Sequence, residues 1–115
     1  MKRDYVNVFK ALSDPNRIRI VKMLCKRELC MCEVREMLNL SNSTVSQHLT
    51  ILRNADLLLD SKEGKWVNFR INDKSDRKFI RSTINLIKNS FEDDDIVQAD
   101  LKKVFRVDRI KITKL

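Results

Sequence analysis

The sequence predicts a mainly α-helical domain with one small β-hairpin. Three observations predict it. Apolar residues recur at helical spacing in five successive segments. Within Trp66–Ile71 apolar and polar side chains alternate from Val67 onward, and the chain's single glycine, Gly64, lies just ahead of that run.

Tyr5, Val8, Phe9 and Leu12 follow an i, i+3, i+4, i+7 pattern, which predicts a short amphipathic helix. It ends at Ser13-Asp14-Pro15, where Asp14 suits a helix cap. Pro15 suits the first position of a second helix, because its missing N–H has no intrahelical partner there anyway. The second helix runs to about Cys25 and buries Ile18, Val21 and Cys25, with Ile20 and Leu24 alongside. Lys26-Arg27-Glu28 is a polar break.

A third helix buries Met31, Val34 and Leu38. It stops at Asn39, a residue type that tolerates the left-handed conformation. Ser41 caps a fourth helix, and Leu40 with Val45 forms a hydrophobic staple across that cap. Helix, short turn and capped helix make a helix-turn-helix, with Val45, Leu49 and Leu52 as the buried stripe.

Leu57-Leu58-Leu59 and Trp66–Ile71 read as two strands. In the second, Val67, Phe69 and Ile71 share one face, and Trp66, Asn68 and Arg70 the other. Ser61-Lys62-Glu63-Gly64-Lys65 supplies the turn, with Gly64 where a hairpin needs positive φ. A hairpin with basic residues at its tip, following a helix-turn-helix, makes the predicted architecture a winged helix-turn-helix. Ile80, Ile84, Ile87 and Phe91 mark a fifth helix after Asp73, and Glu92-Asp93-Asp94-Asp95 breaks the pattern. Residues 1–91 are therefore expected to form the working domain, and 92–115 a C-terminal extension. Ile96, Ala99, Val104 and Phe105 in the extension are compatible with a short extra helix.

The chain has 115 residues with 24 Lys and Arg against 16 Asp and Glu, a net charge of +8, which points to an acidic partner. The excess is spread out: 13 basic against 8 acidic side chains over residues 1–70, and 11 against 8 after them. A nucleic acid is the expected partner. No apolar run is long enough for a membrane span, and the N-terminus lacks the apolar core of a signal peptide. Three cysteines, all between positions 25 and 32, do not suit a secreted disulfide framework. The expected compartment is the cytoplasm, with the thiols reduced. One histidine, no paired-carboxylate pocket and no phosphate-binding glycine loop leave little for an enzyme to use.

Two motifs carry the functional expectation. Asn42, Ser43, Thr44, Ser46 and Gln47 place short polar side chains at the start of the fourth helix, suited to phosphates and base edges. Gln47 can bond an adenine bidentately. His48 reads as a DNA-facing or packing residue, and Lys62 and Lys65 as phosphate or minor-groove contacts of the wing. The second motif is Cys30-Met31-Cys32. Two close thiols offer a grip for soft ions, since the thiolate is the ligating form. In a regular helix residues i and i+2 point about 200° apart, so the two sulfurs converge only where the backbone is irregular. Cys25 reads as a core cysteine or as a third sulfur ligand.

The order of elements, with Ala11–Ile20, Glu28–Val34 and Ser43–Leu52 as matching stretches, resembles the ArsR/SmtB family of metal-responsive repressors, most closely the arsenic-responsive type. The resemblance covers about residues 5–90. It implies a winged-helix homodimer with its first and fifth helices at the interface, bound to double-stranded operator DNA and released by a ligand.

Cys30 and Cys32 match the family's thiolate site near the start of the third helix, typical of arsenite, antimonite, cadmium and lead sensors. The family's arsenic pattern adds a cysteine where this chain has Arg35, and its cadmium/lead pattern adds N-terminal cysteines absent from residues 1–24. The zinc site on the last long helix needs histidine, and the only one here is His48.

The expectation is thus a repressor released when As(III) or Sb(III), alternatively Cd(II) or Pb(II), binds Cys30 and Cys32. Its rivals are the same repressor acting as a redox or reactive-sulfur sensor, and a winged-helix module for protein–protein assembly.

Overall fold

In the computed structural model, which describes residues 2–113, helix α1 (Arg3–Ala11) precedes α2 (Pro15–Leu24). The Asp14 carboxylate accepts from the backbone N–H groups of Asn16 and Arg17 at 2.8 and 3.2 Å, so the turn forms as the sequence predicts. Strand β1 (Leu29–Cys30) then leads straight into α3 (Met31–Leu38). Asn39 closes α3 at φ 54°, in the left-handed region. Ser41 caps α4 (Asn42–Asn54) by accepting from the Thr44 N–H.

Strands β2 (Leu58–Glu63) and β3 (Trp66–Ile71) form the wing around Gly64 at φ 58°. The sheet order is β1-β3-β2, with both pairings antiparallel and Cys30 opposite Asn68. Nothing in the sequence foretold β1. Two residues are too few to show alternation, and the strand exists only because β3 pairs with it.

The stripe of α5 (Lys78–Lys88) buries Ile80, Ile84 and Ile87 as expected, but Phe91 lies past the helix end at φ 67° and is exposed. Helix α2 lies deepest and packs against α4, α5 and β3, with Ile20, Val21 and Met23 completely buried. This differs from the single face predicted: Ile18 and Cys25 are only half-buried. Lys22 is buried too, and its ammonium donates to the carbonyls of Lys88 and Ser90 at 2.8 and 2.7 Å. A cation there satisfies carbonyls that the end of α5 leaves without helical partners.

The extension holds two helices, α6 (Asp95–Lys103) and α7 (Arg109–Thr113). Helix α6 buries Val97 and Asp100, and Val104 and Val107 are buried in the connection to α7, whereas Ile96 and Phe105 are exposed. Of the four residues that suggested a short extra helix, Ile96 and Ala99 lie in α6 and are exposed, while Val104 and Phe105 follow it and only Val104 is buried. The rotation of α6 is set by an ion pair that hydropathy does not show, Asp100 bridging Arg19 on α2 at 2.8 and 3.0 Å. Val104 and Val107 of the extension belong to the same core as α2–α5.

Candidate functional site

Helix α4 packs against α2, α3 and β2 and buries Val45, Leu49 and Leu52, which turns Asn42, Ser43, Ser46 and Gln47 to solvent. Thr44 is half-buried, and its hydroxyl accepts from Ser41 Oγ at 2.9 Å. His48 is half-buried as well, with Nδ1 3.1 Å from an Arg17 guanidinium nitrogen. A guanidinium only donates, so Nδ1 is the acceptor of this hydrogen bond. Arg17 also donates to the Ala11 carbonyl at 2.7 Å, so this pair latches the recognition helix to the α1–α2 turn.

Lys62 and Lys65 are exposed at the wing tip, the Lys65 ammonium lying 5.2 Å from the Trp66 ring centre. Glu63 between them would weaken their field. Arg109 of α7 donates to its carboxylate at 2.8 Å, and Asn68 donates at 2.9 Å. The Arg109 hydrogen bond, then that of Asn68, holds the Glu63 carboxyl below the usual glutamate range.

At the thiol pair, Cys30 is the last residue of β1 and the N-cap of α3, with extended backbone (φ −78°, ψ 163°). This strand-to-helix junction is the irregularity that lets the two side chains converge. The Cα atoms are 5.4 Å apart and the sulfurs are bonded as a disulfide. That differs from the reduced pair expected from the sequence.

Cys30 is buried and Cys32 half-buried. Glu33 caps the junction reciprocally. Its Oε1 accepts from the Cys30 N–H at 2.8 Å, while its own N–H donates to Cys30 Sγ at 3.4 Å. Oε2 of the same buried carboxylate accepts from Arg27 at 3.0 Å.

Cys25 lies elsewhere. It lines a cavity of about 190 Å³ between α2, the end of β3 and α5, with Ile71, Arg81 and Ile84. Burial pushes its thiol pKa up, against the opposing influence of Lys22, Lys88 and Lys26. Among the described residues no group of three or more His, Cys, Asp or Glu side chains is placed to hold a metal ion. The three-sulfur site considered from sequence is therefore not assembled in this conformation, because Cys25 faces α5 while Cys30 faces the wing.

Residues 14–58, spanning α2 to the start of β2, match the model of the bacterial regulatory protein arsR family. The transcriptional repressor SdpR of Bacillus subtilis is 31% identical over 87 residues, covering 76% of this chain and 97% of that protein. The chain belongs to the ArsR family. The arsenical resistance operon repressor of Escherichia coli is 43% identical over 67 residues, 57% of each chain, so the match spans little more than half of that relative. Reduced HlyU from Vibrio cholerae superimposes with a TM-score of 0.62 at 30% identity, covering 74% of this chain and 85% of that one. The Bacillus subtilis and Escherichia coli relatives are both named as repressors. No helix among the described residues is long and apolar enough to cross a membrane.

Three residues placed at these sites have no role in the sequence reading: Arg17, Glu33 and Arg109. Glu33 had a signal, because an N-cap residue followed three positions later by Glu is the capping-box spacing. Cysteine in the cap position concealed it. The arginines carry no local signal, since their partners are distant in sequence.

Proposed function

We propose that this chain is a DNA-binding transcriptional repressor that leaves its operator when a thiophilic ion, arsenite or antimonite first, binds Cys30 and Cys32. The observation that carries the reading is the position of Cys30, which caps α3, the helix on which the recognition helix α4 packs. A change of ligand on that sulfur acts on the support of the DNA-reading surface. The donor set suits a soft ion, with two converging sulfurs, one beside a helix N-terminal N–H that favours its thiolate. A third ligand for arsenite then comes from outside this trio, for instance a small thiol.

DNA would meet Asn42, Ser43, Ser46 and Gln47 in the major groove, with Thr44 and His48 behind them and Lys62 and Lys65 on the backbone. The working form would be a homodimer. Phe9 on α1 and Leu86 on α5 are 63% and 64% exposed, an apolar surface consistent with a partner there. Ile84, by contrast, is core.

A second reading is favoured by the Cys30–Cys32 bond itself: the same repressor switched by oxidation of the pair. An anisotropy titration of a palindromic operator complex separates the two. Release by arsenite from the reduced protein supports the ion reading, and release by peroxide alone supports the redox reading. A complex indifferent to arsenite, antimonite, cadmium, lead and peroxide overturns both.

A further inference from the structure

Residues 104–113 touch both places that such a switch must connect. At one end, Arg27 donates to the carbonyls of Val104 and Val107, each at 3.1 Å, while its other terminal nitrogen holds Glu33. At the other end, Arg109 donates to Glu63 at 2.8 Å and to the Asn68 side chain at 3.1 Å. Its guanidinium carbon also lies 4.1 Å from the centre of the Trp66 ring, a stacking distance. Val104 and Val107, buried between these ends, anchor the segment to the core. Arg27, Cys30, Glu33, Glu63, Asn68 and Arg109 all line one cavity of about 240 Å³.

We propose that residues 104–113 form a strap through which sulfur chemistry at Cys30 and Cys32 repositions the wing. The inference rests on the thiol reading above. A Cys30 sulfur that takes an ion is drawn toward the ion and away from the Glu33 N–H that it meets at 3.4 Å in the disulfide form. Glu33 is buried and its carboxylate must stay paired, so it moves together with Arg27. Arg27 carries the strap carbonyls, and the strap carries Arg109. Release of Arg109 frees the Trp66 face and leaves Glu63 uncompensated between the two wing lysines, which repels DNA phosphate. Arg27 and Arg109 are positioning residues in this scheme.

Trp66 is the chain's one tryptophan, so its emission reports on the strap directly. The experiment compares the full chain with its Cys30–Cys32 bond formed, the reduced chain, and the reduced chain with arsenite, following emission wavelength and operator anisotropy together. In the wild type arsenite should move the Trp66 emission of the reduced chain to longer wavelength as Arg109 leaves the ring, and should release operator several-fold, while the disulfide form keeps the shorter wavelength. R27Q should start with a wild-type spectrum and lose most of the shift and of the release, while its thiols still bind arsenite or oxidise. R109Q, an independent variant at the other end, should start near the shifted wavelength and change little. Direct quenching by sulfur would lower intensity in R27Q as in the wild type, so wavelength is the deciding readout.

Wild-type release without an emission shift, or a full shift in R27Q, overturns the strap and leaves the thiol reading standing. An emission shift lost in R27Q but without operator release in the wild type supports the strap and overturns thiol control of DNA binding.

Discussion

Glu33 and Cys30 cap each other, the carboxylate accepting the Cys30 N–H at 2.8 Å while Cys30 Sγ accepts the Glu33 N–H at 3.4 Å. The first turn of α3 and the thiol site are therefore one structure. Glu33→Ala leaves a buried N–H and Arg27 without their acceptor, which costs about 1–3 kcal/mol of stability. Urea unfolding should show the loss as a lower midpoint with an unchanged slope. An unchanged midpoint would mean that the reciprocal cap contributes nothing to folding.

Gln47 is exposed on the recognition helix, so Gln47→Ala should lose about 1–3 kcal/mol of discrimination between operator and scrambled DNA. Lys62→Ala should instead weaken both DNAs alike and reduce the salt slope by about one unit. Titrations at several salt concentrations distinguish these patterns. Wild-type discrimination by Gln47→Ala would remove Gln47 from the base-reading surface.

The proposed dimer face is tested at Leu86. Leu86→Asp should leave the fold intact and yield monomers by sedimentation, with weakened operator binding. Ile84→Asp is a different experiment, because Ile84 is 4% exposed and a carboxylate there destabilises the core itself. A Leu86→Asp protein that sediments as the wild type does would move the interface elsewhere.

Cys25 should be the slow thiol. Burial raises its pKa and so lowers its thiolate fraction at neutral pH, whereas reduced Cys32 is half-buried at a helix N-terminus. Alkylation of the reduced protein followed by peptide mass mapping should find Cys32 modified before Cys25. Cys25→Ser should keep most of the arsenite response, because its sulfur faces α5. Complete loss of response would restore the three-sulfur site in a different conformation.

Local chemistry made much of this protein legible without coordinates. Asp14-Pro15, Asn39, Ser41 and Gly64 each act within a few residues, through a cap, a left-handed turn or a tight hairpin, and each stands where the sequence put it. The apolar stripes of α4 and α5 were equally plain, because each helix buries one face. Helix α2 was misjudged, since burial on several sides erases the periodicity that a single face displays. Strand β1 depends on its partner β3, and the face of α6 depends on Arg19 meeting Asp100. Two cysteines one residue apart announced a thiol site, but their convergence follows from the strand-to-helix junction that β3 imposes on Cys30. The strap was beyond reach for the same reason. Arg27 and Arg109 are ordinary basic residues in the chain, and only the folded backbone brings them to Glu33, Glu63 and Trp66.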